Sequence, residues 1–323
     1  MSNARGDSAV LLSRLQTEFG TPEDAGNGDY RKLPFYTLRL DPSQDLENDE
    51  AIQGDAFPGD TVAGLRSVAG SMEVPVGLSS IGWHLRGLLG APTTTGASDY
   101  THVFETAAAP TVGLFTTCVS HSRVAQHFMQ DSLAYTGMEL TARKNGQRQR
   151  ATFNVIAREE AGVSAARDTT PVAYSPDTVP VGFTGKVQID GSDAAAVTGA
   201  SITLGTGVEA DQESLNGLAT AAQMDWGTWE LSGSLDCRFQ DRTYYDLAEA
   251  GTSIAVTLDW TISAALSLVI EMPDVRLERT GIPVDGRGII SSSFSFRPNR
   301  PASDSTLLKA TLKNAVADYA NPS

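Results

Sequence analysis

The 323-residue sequence has few of the residues on which catalytic, metal-binding and base-stacking sites depend. It contains two cysteines and four histidines, and it has no G-x-S-x-G, no H-E-x-x-H and no glycine-rich phosphate loop. Aromatic residues make up 7% of the chain, which speaks against a surface for stacking bases. No apolar run approaches the roughly 18 residues that span a bilayer. We therefore expect no enzyme, no cofactor, no metal site and no membrane contact.

The two cysteines predict free thiols rather than a disulfide. Cys118 and Cys237 lie far apart in the sequence, each inside a strand-like run. Cysteines in such places are usually small buried side chains in a reducing compartment. The first apolar segment is too short for a signal peptide, so we expect no secretory leader.

Basic residues are scarce, and two long stretches have none. The chain has 24 Lys and Arg against 39 Asp and Glu, a net charge of −15. No lysine or arginine occurs between Arg39 and Arg66, or from Val187 through Cys237. Proteins that grip nucleic acid neutralise phosphates with clustered basic residues, so this balance argues against that function. It is compatible with a surface past which DNA slides without sticking.

The sequence does contain an internal repeat, in which one strand–helix pattern occurs twice. From Ser67 to Gly90 it reads SVAGSMEV and then PVGLSSIGWHLRGLLG, a strand followed by a helix with apolar residues at helical spacing. From Leu231 it reads LSGSLDCRF and then QDRTYYDLAEAG. Matching Gly70 with Gly233 gives an offset of 163 residues, about half the chain. This repeat predicts a duplicated domain.

The chain as a whole is predicted to be all-β with a minor helical part. We expect two tandem β-sandwich or barrel domains, each with one flanking α-helix. The predicted divisions are an N-terminal segment at 1–30, domain one at 31–160, a linker at 161–180, domain two at 181–300 and a C-terminal segment at 301–323. The linker is rich in alanine, threonine and proline and shows little periodicity.

Alternating apolar and polar residues predict most of the strands. In domain one they fall at 33–40, 100–104 and 111–119, with a clear hairpin at 135–143 and 148–158. This hairpin turns at Asn145-Gly146, the pair favoured in type I′ turns. In domain two, DVRLERTG and GIISSSFSF form a second hairpin that turns near Asp285-Gly286.

The two hairpins align when Met138-Glu139-Leu140 is placed on Val275-Arg276-Leu277, an offset of 137 residues. Since the strand–helix units are offset by 163, domain one carries about 26 extra residues between its helix and its hairpin. Three other segments are less regular. Residues 9–19 fit either a helix or a strand, residues 121–133 read as a connection, and TLLKATLKNAVADY favours a strand followed by a loose end.

Charge is distributed unevenly within each repeat. The acidic residues of the two long connections are Asp41, Asp45, Glu47, Asp49, Glu50, Asp55, Asp60, Glu209, Asp211 and Glu213. The basic residues of the two hairpins are Arg143, Lys144, Arg148, Arg150, Arg276, Arg279, Arg287 and Arg297. A domain with acidic loops and basic hairpins has a natural head-to-tail partner in a second copy of itself, and such contacts give rings or stacks. Ordinary surface charge is the alternative interpretation.

An ordered set of segments resembles a known family. It comprises LLSRLQTEFGTPEDAGNGDYRKLPFYTLRL, the long acidic connection, the G-S-M-E strand, the helix ending in LRGLLG, the strand YTHVF and the hairpin YTGMELTARKNGQ. Together they resemble the tail tube proteins, or major tail proteins, of long-tailed (siphovirus-type) bacteriophages. The resemblance covers most of the chain and is strongest across 9–160.

The resemblance implies a structural subunit of the virion, assembled in the cytoplasm of the bacterial host. Six tail-tube-like domains would form a ring, and stacked rings would enclose a channel that conducts double-stranded DNA. The ring-to-ring loop would fall on Asp41–Asp60, with a counterpart near Glu209–Asp225. The implied partners are further copies of the chain, tail terminator and distal tail proteins at the ends, and tape measure protein and genomic DNA in the channel.

The repeat bears on the number of chains in such a ring. If each chain brings two tube domains, three chains close it with pseudo-sixfold symmetry; six are needed if domain two is peripheral. Because an acidic wall keeps a polyanion centred and mobile, we expect part of the acid to face the channel. A β-sandwich binding module, such as a virion decoration protein or an adhesin, is the alternative function, but it does not explain long loops in both halves.

Overall fold

Strands dominate the fold in the computed structural model, which describes residues 3–52, 54, 56–57, 59–284, 286–299 and 306–322. The first strands are β1 (Ala9–Leu15), β2 (Arg31–Leu33), β3 (Thr37–Asn48), β4 (Thr61–Pro75), β5 (Thr93–Thr95), β6 (Tyr100–Glu105), β7 (Phe115–His121), β8 (Gln126–Arg143), β9 (Arg150–Ala157) and β10 (Glu159–Val163). The others are β11 (Val172–Ala173), β12 (Lys186–Ile189), β13 (Ser192–Asp193), β14 (Val197–Gly205), β15 (Glu209–Ala210), β16 (Met224–Asp225), β17 (Glu230–Arg238), β18 (Ser253–Ser263), β19 (Leu266–Leu277), β20 (Ser291–Pro298) and β21 (Lys309–Asn314).

The helical part is small, as predicted. It consists of α1 (Ile81–Leu89) after β4, α2 (Thr243–Ala250) after β17, and two 3₁₀ turns, Gly6–Ser8 and Gly182–Thr184. No helix among the described residues combines the length and apolar character needed to cross a bilayer. The prediction of an all-β chain with a minor helix is confirmed.

A run of eight antiparallel strands extends through both halves of the chain. Its order is β3-β4-β9-β8-β14-β17-β20-β19, and each neighbouring pair is hydrogen-bonded. The two halves meet at β8 and β14, where Gly199 to Gly205 pair with Arg143 to Gly137. We call this run the eight-strand sheet.

The long strands β8 and β19 leave the eight-strand sheet and enter two further sheets. The N-terminal part of β8 pairs with β7 and β10, and β7 pairs with β1. Strand β19 pairs with β18 along nearly its whole length and with β21 through its N-terminal part, and β18 pairs with β12. Both junctions have the same irregularity, between Phe115 and Thr117 on β7 and between Ile254 and Val256 on β18.

This correspondence of strand pairs supports two tandem domains, a division that stays a prediction. It also corrects the alignment of the hairpins. Phe153 pairs with Met72, and Phe294 pairs with Leu235, so the repeat places the two phenylalanines at equivalent positions. Their offset is 141 residues rather than 137, and the alignment on Met138-Glu139-Leu140 is therefore wrong by four residues.

The extra residues of the first half tie it to the second. They lie between α1 and β7 and contain β5 and β6. Strand β6 pairs with β21 through Tyr100 to Glu105, and β21 pairs with β19. The C-terminal strand is thus held between an insertion of the first half and the sheet of the second half.

Several local predictions are settled, changed or left untested by the structure. The segment left open at residues 9–19 contains a strand, β1, and most of the predicted connection at 121–133 belongs to β8. Residues 161–180 include the end of β10 and all of β11, so this stretch pairs with β8 and β2. Neither Asn145 nor Gly146 has the positive φ of a type I′ turn. The predicted turn partner Asp285 lies outside the described residues.

The C-terminal residues are docked, contrary to the expected loose end. Tyr319 is 1% exposed, and its hydroxyl donates to the carbonyl of Ser79 at 2.9 Å. Asn314 donates to the same hydroxyl at 2.7 Å and to the carbonyl of Leu78 at 2.7 Å. A Cβ at Gly82 would lie 2.1 Å from the Tyr319 ring, so the tail requires glycine in the first turn of α1.

Helix α1 is buried almost completely because sheets and tail surround it. Trp83 is fully buried and donates its indole N–H to Ser13 Oγ at 3.1 Å. A Cβ at Gly87 would lie 2.3 Å from the ring of Tyr135, which packs against the helix from β8. Gly90 then ends the helix with a φ of 90°. Both cysteines are buried and free, also as predicted.

His84 on α1 is an apolar-core histidine with a single polar contact. Its Nδ1 lies 2.9 Å from Tyr135 Oη, and its ring stacks on Phe153 with centroids 5.1 Å apart. Nε2 is buried without a hydrogen-bond partner. Burial lowers the pKa of His84 from 6.5 to about 3, because the charged form would lose its hydration.

This burial predicts acid sensitivity. The unfolded chain takes up a proton at His84 below pH 6.5, while the folded chain does not until about pH 3. The free energy of unfolding should therefore fall as the pH drops from 6.5, by about 2 kcal/mol at pH 5 from this group alone. Urea titrations at pH 7 and pH 5 should show this loss in the wild type and a smaller loss in His84→Gln. Equal losses in the two proteins would contradict this assignment.

Candidate functional site

One face of the eight-strand sheet is apolar and buried, and the other is polar. The alternation follows from the two-residue period of a strand: on β9, Ala151, Phe153, Val155 and Ala157 are buried. We call the opposite side the polar face. Its central strands carry mainly hydroxyl groups, as in Ser201, Thr203, Ser232, Ser234, Ser293 and Ser295.

Several charged groups of the polar face form ion pairs. Four arginine–carboxylate pairs lie on it, namely Arg39–Asp41 at 2.7 Å, Arg143–Asp236 at 3.1 Å, Arg150–Glu73 at 3.2 Å and Arg297–Glu278 at 2.7 Å. Exposed pairs of this kind add little stability. Their effect is to cancel charge locally, so the polar face presents hydroxyls and neutralised pairs rather than a field of one sign.

The first eight residues of the predicted acidic connection at 41–60 belong to strand β3 rather than to an irregular loop. Strands β3 and β4 continue beyond the eight-strand sheet as a long hairpin, paired from Gln44 with Arg66 to Asn48 with Thr61. We call residues 44–66 the arm. Its predicted acidic residues Asp45, Glu47, Asp49, Glu50 and Asp60 are all exposed, as is Asp41 at its base. Asp55 lies outside the described residues.

The arm also exposes large apolar side chains. Ile52 is 100% exposed and Phe57 is 82% exposed, and Leu46, Val62 and Leu65 are exposed as well. Exposed apolar groups that are concentrated on one projecting element mark an interaction site more often than scattered ones do. The arm therefore combines negative charge with apolar contact area.

The second acidic connection lies against the base of the arm. Arg66 N donates to Ala219 O at 2.7 Å, and Gln212 Nε2 donates to Arg66 O at 3.2 Å. In this loop Glu209 and Glu213 are exposed, whereas Asp211 caps a turn through its contacts with Ser214. The hydrogen bond from the Ser214 hydroxyl lowers the pKa of Asp211. The structure thus brings together two acidic segments that are far apart in sequence.

The basic hairpin residues do not form one surface. Arg143, Arg150 and Arg297 belong to ion pairs of the polar face, and Arg279 contacts Tyr245 and Glu249 on α2. The exposed residues Lys144, Arg148, Arg276 and Arg287 complete the predicted set. Part of the positive charge proposed for head-to-tail contacts is therefore engaged within the chain.

The described residues contain no group of three or more His, Cys, Asp or Glu arranged to hold a metal ion. What distinguishes the molecule is the polar sheet face and the projecting arm. Sequence reasoning found the arm through its length and charge. It missed the polar face as a unit, although the alternating serines of SSSFSF and LSGSL signal one polar side on each strand.

The model of one protein family, described as "Phage tail tube protein", matches residues 6–298. The chain belongs to the phage tail tube protein family. A search of the curated proteins gave no match. Membership makes this tail tube chain a structural component of the phage tail and hence of the virion, and it implies self-assembly into a tube. The strands that form the polar face, from β3 to β20, all lie within the matched region.

Proposed function

We propose that this tail tube protein forms rings in which the eight-strand sheet lines the channel, with its polar face toward the DNA. The observation that carries this proposal is the continuous sheet shared by the two halves, buried on one side and polar on the other. Each chain contributes two repeat-related halves of this sheet, with four strands in each half. Three chains then supply six such halves and close a ring with pseudo-sixfold symmetry. The chain acts as a conduit wall and not as an enzyme.

The chemistry of the polar face suits a conduit for double-stranded DNA. A wall of unpaired lysine and arginine would bind phosphates and release counterions, which holds the duplex in place. Here four arginines are paired with carboxylates, as in Arg143 with Asp236 and Arg297 with Glu278. Within the described part of the chain Arg238 and Arg276 form no ion pair, but Glu139 and Glu230, unpaired on the same face, balance them in number. The wall is close to neutral rather than acidic. Its low affinity for DNA therefore comes from charges that cancel and from hydroxyl groups.

The arm supplies the contact between stacked rings. It projects beyond the sheet, it exposes Ile52 and Phe57, and the loop at Glu209–Asp225 supports its base. Burial of such apolar groups on a neighbouring ring gives about 25 cal/mol per Å² of apolar surface removed from water. Assembly in the host cytoplasm, with tape measure protein in the channel and tail terminator and distal tail proteins at the ends, completes the proposal.

Charge introduced at the arm should block stacking and leave the fold intact. We expect Leu46→Asp with Ile52→Asp to form single rings or short stacks instead of tubes in electron micrographs of purified protein. Both side chains are exposed, so the thermal midpoint should stay close to that of the wild type. The matched control is Ile262→Asp, which charges an exposed apolar residue outside the arm. Full-length tubes from the arm variant would contradict this role.

Positive charge on the polar face should slow the passage of DNA. Ser234 and Ser295 are cross-strand partners near the centre of the face. Phage carrying Ser234→Lys with Ser295→Lys should build tails of normal length but eject their genome more slowly, because each lysine adds a phosphate contact. The control with glutamine at both positions adds length without charge and should eject at the wild-type rate. Equal ejection rates for the lysine and glutamine variants would count against this face as the wall.

A further inference from the structure

Within the chain, the second half docks on the β8–β9 hairpin of the first half through two contacts. Strand β14 pairs with the outer edge of β8. The 3₁₀ turn Gly182–Thr184 covers the tip of the hairpin: Gly182 N donates to Gln147 O at 2.9 Å, and Phe183 N donates to Asn145 O at 3.0 Å. One half thus offers a strand edge and a turn to the hairpin of the other.

The first half carries the same pair of features, and no described residue covers either of them in the same way. The turn Gly6–Ser8 stands before β1 as Gly182–Thr184 stands before β12. In each turn the last hydroxyl donates to the carbonyl three residues back, Ser8 to Arg5 at 2.9 Å and Thr184 to Val181 at 2.8 Å. No residue of Gly6–Ser8 is buried.

Strand β3 is the counterpart of β14 and lies at an edge. Among the described residues it pairs with β4 alone, whereas β14 pairs with both β17 and β8. Leu40 pairs with Gly70 as Ile202 pairs with Gly233, and Leu40 is half-buried while Ile202 is 1% exposed. An edge strand with free N–H and C=O groups is a template for pairing with another chain.

The β19–β20 hairpin is the counterpart of the β8–β9 hairpin, but beyond Leu277 no strand of the described residues pairs with its outer edge. The two hairpins are matched in register, since β9 begins at Arg150 and β20 begins at Ser291, 141 residues later. Residues 138–143 lie in β8, but the equivalent residues 279–284 are not in a strand. The hairpin remains open after Glu278, whose N–H donates to Ser295 O at 2.7 Å, and Val284 and Ile289 are exposed.

We propose that a second copy of this chain docks on the open β19–β20 hairpin in the way that the second half of the chain docks on the β8–β9 hairpin. Strand β3 of the copy pairs antiparallel with residues 278–284, which then become a strand, and the copy's Gly6–Ser8 turn covers residues 286–288. The in-chain register, in which Thr203 pairs with Glu139, places Asp41 opposite Thr280 of the neighbour. This inference rests on the proposed ring. When the head-to-tail contact is repeated from chain to chain, it closes the ring.

Disulfide trapping tests this register. Directly opposed residues of antiparallel strands have Cα atoms about 4.5–5.5 Å apart, within the range of a disulfide. Oxidised rings of Asp41→Cys with Thr280→Cys should therefore contain chains cross-linked into dimers and trimers on a non-reducing gel. The native cysteines are buried and do not interfere.

The matched control is Asp41→Cys with Arg276→Cys. Arg276 is also exposed, but it lies four residues, or about 13 Å along the strand, from Thr280. The control should stay uncross-linked. Rings that form without cross-links in the Thr280 variant, or that cross-link as well at position 276, would overturn the register. Wild-type protein that stays monomeric would instead contradict the proposed ring itself.

A second variant pair tests the turn. Asp7 occupies the place of Phe183, so its N–H should donate to the neighbour's hairpin tip. Proline removes this donor, whereas alanine keeps it and removes only the side chain. We expect Asp7→Pro to raise the concentration needed for ring assembly about two- to tenfold, the effect of one hydrogen bond, and Asp7→Ala to leave it unchanged. Equal assembly of the two variants would overturn the contact at the turn.

Discussion

The pairing of β8 with β14 is the interaction on which the rest of the structure depends. It joins the halves into one antiparallel sheet through residues 137–143 and 199–205. Because side chains alternate across a strand, a shift of one residue at this junction would turn the buried Ile202 outward. The junction therefore fixes which side chains of both halves share the polar face. A second link, between β6 and β21, holds the other sheets together.

The polar face shows how a strongly acidic chain can present a nearly neutral surface. Four of its arginines pair with carboxylates, as Arg150 does with Glu73 on the neighbouring strand and Arg143 with Asp236 across β14, while the excess acid lies on the arm and the loop beside it. Exposed ion pairs contribute at most about 1 kcal/mol each, so stability is not their main consequence. Stability comes instead from the buried side, where the core of both halves is continuous from Leu11 to Tyr319.

Much of the fold could be predicted from local pattern, and what failed depends on distant contacts. Alternation predicted β6 and β9, and the repeated strand–helix pattern predicted β4, β17 and the two helices that follow them. The docking of Tyr319 on α1 was not predictable, because nothing near Tyr319 in sequence encodes the space left by Gly82. The acidic segment at 41–60 was read as a loop since exposed strands lack apolar alternation. The polar face joins eight strands and has no continuous sequence signal.

The central claim is that the two halves occupy equivalent places around one channel. The most direct test is native mass spectrometry of isolated rings, combined with averaged end-on electron micrographs. The account predicts rings with the mass of three chains that show six nearly equal lobes around an open bore. Rings of six chains, or particles without a central bore, would contradict it.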